Sequence, residues 1–219
     1  MKTVIFDLDG TLADTSGDLI AAANACFSEM GHGDLLDESA DMLTAFHGGR
    51  AMLRLGFSRL DRAIDEAEID RLYPEFLVHY AAHIDVKTVL YPGALEAVET
   101  LLADGYRVAV CTNKPEGLAE TLLQRLGVRF SALIGADTLA VRKPDPEAYR
   151  VCVERAGGDL AQSVLIGDTE TDEKTARAAG VPIVLVAFGP EGEAISRLKP
   201  DAMLDAYSDL PALVRELIG

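Results

Sequence analysis

A chain of 219 residues, 49% hydrophobic and 26% charged, has the make-up of an ordinary globular protein, with room for one large domain or a core plus a smaller one. Acidic residues outnumber basic ones 36 to 20, a formal net charge of -16, which argues against a general binder of nucleic acid or anionic membranes. Cys26, Cys111 and Cys152 are odd in number and widely spaced, which fits neither a disulfide framework nor a metal-ligand spacing and points to buried thiols in a reducing compartment.

The first apolar run, Thr3-Val-Ile-Phe, leads straight into Asp7-Leu-Asp9. On an extended chain two carboxylates two residues apart share a face. From Thr15 to about Lys87 no strand pattern occurs. Leu19, Ala23, Phe27 and Met30, then Ile69, Leu72, Tyr73, Phe76 and Tyr80 repeat at helical spacing. An insert of this size is too long for a loop, so residues 15–87 read as a small helical domain and residues 1–14 with 88–219 as the core. The links near Asp14 and Thr15 and near Thr88 to Pro92 read as hinges.

Beyond the insert, strand and helix alternate. Leu95, Val98, Leu101 and Leu102 predict a helix before Asp104-Gly105, and Arg107–Cys111 a strand. Leu118, Leu122, Leu123 and Leu126 predict a helix stopped at Gly127. Strands over 131–134, 163–166 and 182–187 are separated by helices over 146–156 and 172–179. The strands are continuous apolar runs, as in a parallel sheet covered on both faces, so the fold class is a doubly wound α/β sheet. Val181 to Phe188, the most apolar stretch, falls far short of the roughly 20 residues of a membrane span. Asp7 comes too early for a signal peptide, so the expected location is the cytoplasm.

Ligands of an open parallel sheet bind beyond the carboxyl ends of its strands. Those ends carry Asp7 and Asp9, then Thr112-Asn113-Lys114, then Arg142-Lys143-Pro144-Asp145, then Gly167-Asp168 and Asp172. The acidic residues suit a hard divalent cation such as Mg²⁺, with Asp7 and Asp168 as direct ligands and Asp172 binding through water or orienting the others. Lys143 would neutralise a phosphate oxygen, while Thr112 and the backbone N–H of Asn113 would hydrogen-bond others. In the insert, His47-Gly48-Gly49-Arg50 is either a plain interhelix turn or the place where Arg50 meets an anionic group of the substrate.

The ordered set FDLDGTL, the Thr after the second strand, the Lys of RKP and the acidic pair of GDTETD resembles the haloacid dehalogenase superfamily of phosphohydrolases. The helical insert looks like that family's small cap domain. TNKP, the KPDP loop, ARAAG and GPEGEAI look most like its phosphoglycolate phosphatase branch. The resemblance implies Mg²⁺ held by the group Asp7, Asp9, Asp168 and Asp172. It also implies Asp7 as a nucleophile forming an aspartyl-phosphate, and Asp9 as the acid and then base that serves the leaving alkoxide and the attacking water. The partner it implies is a small phosphate ester, phosphoglycolate above others. A pyrophosphatase, a nucleotidase or a sugar-phosphate phosphatase would share the same core residues. Dehalogenase chemistry needs neither Asp9 nor the acidic pair. The phosphomutase branch carries a His where Leu19 stands, and a receiver-like signalling module has no use for the insert or for Asp9.

Overall fold

Five of the apolar runs become strands of one sheet. The computed structural model describes residues 1–60, 63 and 65–219. Its strands are β1 (Thr3–Phe6), β2 (Ala13–Asp14), β3 (Val89–Leu90), β4 (Arg107–Cys111), β5 (Leu133–Ile134), β6 (Ser163–Gly167), β7 (Ile183–Val186) and β8 (Ala202–Leu204). Among the described residues six of them form a sheet in the order β5-β4-β1-β6-β7-β8, and β2 pairs with β3 separately. Every pairing in the large sheet is parallel. The α/β class expected from the pattern is the class observed.

The helices are α1 (Ser16–Glu29), α2 (Met42–Ala45), α3 (Gly49–Ser58), α4 (Glu66–Ala82), α5 (Ala94–Ala103), α6 (Glu116–Arg125), α7 (Pro146–Arg155), α8 (Glu170–Ala179) and α9 (Leu210–Ile218). The chain forms two compact units, one of Met1–Ala13 with Leu90–Gly219 and one of Asp14–Val89.

In the first unit the register sets the core. Ile5 lies opposite Ala109 and Leu165. These three share one buried cluster with Tyr149 and Cys152 of α7 and Ala176 of α8. Their neighbours Val4, Val108 and Val164 are just as buried, because helices cover both faces of a parallel sheet. All three cysteines are buried and unbridged. Two elements of this unit escape the sequence pattern. Strand β8 has three residues between Asp201 and Asp205, too short for a recognisable apolar run, yet it extends the sheet beyond β7. Helix α9 shows only Leu210 and Val214 as a buried pair one turn apart.

In the second unit α1 packs on α4 and α3, with the Phe27 and Phe57 rings edge to face at 5.3 Å. The sequence pattern shows α1 and α4 but not α2 and α3, because α2 is a single turn and glycines interrupt the apolar spacing of α3. The unit's two ends are tied together by Asp18. Its buried carboxylate accepts from the Lys87 N–H, the Thr88 N–H and the Thr88 hydroxyl at 2.7 to 3.0 Å. Among the described residues no helix is long and apolar enough to cross a membrane.

Candidate active site

Strand register decides which residues meet at the carboxyl edge of the sheet. Phe6 pairs with Val110 on one side and Ile166 on the other, so Asp7, the first residue after β1, stands level with Cys111 and Gly167, the last residues of β4 and β6. The Asp7 N–H donates to the Ile166 carbonyl at 2.9 Å. The chain then stops being extended. The Leu8 carbonyl accepts from the N–H groups of Thr11, Leu12 and Ala13, and Gly10 takes φ 83°, a left-handed conformation that suits glycine. The extended period of two therefore ends at Phe6, and Asp9 lies in a turn rather than on the strand.

This turn sends the two carboxylates to different cations. Lys143 Nζ donates to Asp172 Oδ1 at 2.6 Å and lies 3.1 Å from Asp7 Oδ1. Asp7 Oδ1 also accepts from the Leu8 N–H at 2.7 Å. Asp9 Oδ1 instead accepts from Lys114 Nζ at 2.7 Å. Asp7, Asp168 and Asp172 are buried, each with a carboxylate oxygen within 4.8 Å of the others. The Asp9 carboxylate is outside that group.

Asp168 is held at one oxygen only. Thr11 Oγ donates to Asp168 Oδ1 at 2.7 Å, while Asp168 Oδ2 is buried without a hydrogen-bond partner among the described residues. Tyr207, near the carboxyl terminus, donates its hydroxyl to the Thr11 carbonyl at 2.8 Å, which fixes the turn from behind. Both oxygens of Asp172 are engaged. Oδ2 accepts from the Asp168 N–H, the Thr169 N–H and the Thr169 hydroxyl at 3.3, 3.1 and 2.7 Å, and Oδ1 holds Lys143. Its carboxylate thus closes the first turn of α8 in the manner of a capping box.

The electrostatics follow from burial. Loss of hydration pushes the Asp7 carboxyl up to about 6; Lys143 pulls it down, and Asp172 and Asp9 push it further up. Burial likewise lifts Asp168 well above the usual carboxylate range, aided by Asp172 and Asp7. For Lys143 burial opposes the charge, but Asp172 and Asp7 outweigh it and hold the ammonium above its ordinary value. Three carboxylates crowded around one lysine are short of positive charge. Burial pushes the neighbouring Cys111 thiol up to about 12, so it is no nucleophile at neutral pH.

Thr112 and Asn113 lock the loop that follows β4. Thr112 is buried; its Oγ accepts from the Lys114 N–H at 3.2 Å. The Asn113 side-chain amide donates to the Lys143 carbonyl at 3.0 Å, joining this loop to the one that carries Lys143. Arg50, in the other unit, pairs with Asp70 and stacks 4.3 Å from the centre of the Tyr73 ring. The sequence pattern alone assigns no role to Lys114 or Thr11. The available signal was position: each is polar and stands within a few residues of a strand's carboxyl end.

Gly167 makes the packing of Asp172 possible. A Cβ there would meet the Asp172 Cβ and Cγ at 2.5 Å, atoms fixed by the start of α8. Gly167→Ala should therefore cost about 1–3 kcal/mol and lower the melting temperature by roughly 2–10 °C. A calorimetric scan unchanged from the parent would refute this account of the close approach.

The haloacid dehalogenase-like hydrolase family matches residues 1–180 of the chain. The chain belongs to this family. Within it the relatives are close over nearly the whole length. A phosphoglycolate phosphatase of Mesorhizobium japonicum is 38% identical over 217 residues, 97% of this chain and 94% of that protein. One of Rhodospirillum rubrum is 41% identical over 218 residues, covering 95% and 89%. Among solved structures, a predicted phosphoglycolate phosphatase from Haemophilus somnus superposes with a TM-score of 0.85 at 26% identity, covering 97% of each chain. This haloacid dehalogenase-like hydrolase is an enzyme of the phosphoric monoester hydrolase class.

Proposed function

We propose that the enzyme is a Mg²⁺-dependent phosphoglycolate phosphatase working through an aspartyl-phosphate on Asp7. The observation that carries the metal is Asp168 Oδ2, a buried carboxylate oxygen without a hydrogen-bond partner among the described residues, beside Asp7 and Asp172. An all-oxygen donor set of this kind fits Mg²⁺. Asp7 and Asp168 would hold the ion; Asp172, whose oxygens are both engaged, would orient them or act through water. Asp9, turned towards Lys114, would contribute no carboxylate to it. Bound Mg²⁺ would supply Lewis-acid neutralisation of the phosphoryl oxygens.

The remaining steps belong to the chain's own side chains. The Asp7 carboxylate attacks phosphorus, and the new O–P bond forms as the ester P–O bond breaks. Asp9 gives its proton to the departing alkoxide. It then takes a proton from water as that water attacks the same phosphorus, so the acyl-phosphate bond breaks and inorganic phosphate leaves. Lys143 balances the negative charge on the phosphoryl group, and the Thr112 hydroxyl with the Asn113 N–H holds its oxygens. Asp14–Val89 is the cap in this reading, with Arg50 as the candidate contact to the substrate's own anion. The cytoplasm is the location it expects. The names of the close relatives support phosphoglycolate as the ester.

Phosphate release should be measured from phosphoglycolate, sugar phosphates, nucleotides and pyrophosphate, with Mg²⁺ and with a chelator. Phosphoglycolate should lead, the chelator should reduce release by at least about 10²-fold, and added Mg²⁺ should restore it and raise the melting temperature. Undiminished hydrolysis in the chelator would sink the metal assignment. Preference for another ester would replace the substrate.

A further inference from the structure

Lys114 is the second buried lysine at this edge, and the mechanism above leaves it without a task. Its side chain is 3% exposed, and it pairs with Asp9, whose side chain is 18% exposed. The backbone around it is fixed: its N–H donates to Thr112 Oγ, and its carbonyl accepts from the Ala136 N–H at 2.9 Å. A lysine is rarely so buried without a specific partner. The cation pairs with Asp9, the residue proposed to serve the leaving group, whereas Asp7 pairs with Lys143.

We propose that Lys114 is a specificity residue that binds a carboxylate carried by the leaving alcohol one carbon beyond the ester oxygen. The inference rests on the phosphoglycolate reading above. A proton donor lies about 2.7 Å from the oxygen it serves, so with Asp9 Oδ1 2.7 Å from Lys114 Nζ an ester oxygen served by that same Oδ1 lies no more than about 5.4 Å from the ammonium. In an O–CH₂–COO⁻ unit a carboxylate oxygen lies roughly 3 Å from the ester oxygen by standard bond lengths. It therefore reaches Lys114 without leaving the site.

This geometry permits an exchange of partners. As Asp9 leaves Lys114 it takes up a proton from solvent and turns to the ester oxygen as the acid, and the substrate carboxylate takes its place on Lys114, so the buried ammonium keeps an anionic partner. An ester without the carboxylate offers nothing in exchange for the Asp9 pairing, and a buried ion pair is costly to open. The class of ester selected is a phosphomonoester of a 2-hydroxy acid.

The test is the ratio of kcat/KM for phosphoglycolate to that for ethyl phosphate, which differs by the carboxylate. The parent enzyme should favour phosphoglycolate strongly, and Lys114→Met should lower the ratio by at least about 30-fold, whatever loss is common to both esters. A high parent ratio that Lys114→Met leaves unchanged overturns the inference and spares the proposed function. A parent ratio near one overturns the phosphoglycolate reading and this inference with it. If Lys114→Met does not fold, a crystal structure of Asp7→Asn with phosphoglycolate decides. A substrate carboxylate oxygen within about 3.2 Å of Lys114 Nζ supports the inference, and one bound elsewhere overturns it.

Discussion

Asp7→Asn is expected to lower phosphate release by at least about 10³-fold while leaving the fold intact, because an amide cannot displace an alkoxide from phosphorus. The local structure tolerates the change. An amide oxygen can still accept the Leu8 N–H that Asp7 Oδ1 accepts at 2.7 Å, and Lys143 keeps its 2.6 Å bond to Asp172. Undiminished turnover would remove Asp7 from the nucleophile's role.

The same variant carries a stability signature of opposite sign. Burial pushes the folded Asp7 carboxyl from 3.8 up to about 6, so between about pH 4 and 6 the folded chain holds a proton that the unfolded chain has released. Stability of the cation-free protein therefore falls as pH rises through that window, by up to about 3 kcal/mol. Asp7→Asn removes this slope. With chelator at pH 7 its melting temperature should exceed the parent's, and the gap should close towards pH 4. A variant less stable than the parent at pH 7 would show that Asp7 is a net stabiliser.

The fold class was legible because its cause is simple. Strands covered on both faces must be apolar throughout, as Val4–Phe6 and Val164–Ile166 are, and helices between them must repeat at 3.6 residues. Strand β8 and helix α3 were not legible because three residues, or a helix broken by glycine, carry too little periodicity. At the site, Asp7, Lys143, Asp168 and Asp172 could be listed from strand-end position, and the structure brings these four together. The pairing of Asp9 with Lys114 could not be read. It depends on the turn at Gly10 and the path of a loop more than one hundred residues away. Thr11 and Tyr207 were hidden for the same reason: one lies in that turn and the other reaches its carbonyl from near the chain's end.

Lys143→Met should be the most damaging single substitution for the core itself. It replaces a buried ammonium with an apolar chain of similar length, so packing is largely kept and charge alone is lost. Asp7, Asp168 and Asp172 would still lie within 4.8 Å of one another, but without the cation 2.6 Å from Asp172 and 3.1 Å from Asp7. Removing one partner of a buried ionic group typically costs about 3–5 kcal/mol, or roughly 10 °C in melting temperature for a chain of this size. Phosphate release should fall by about 10³-fold as the phosphoryl group loses its neutralising charge. The electrostatic origin has its own readout. Acid protonates the carboxylates, so the deficit against the parent should shrink as pH falls from 7 towards 4, and Mg²⁺ should recover part of it at pH 7. A deficit of the same size at both pH values, untouched by Mg²⁺, would mean that Lys143 supports the core by packing and not by charge.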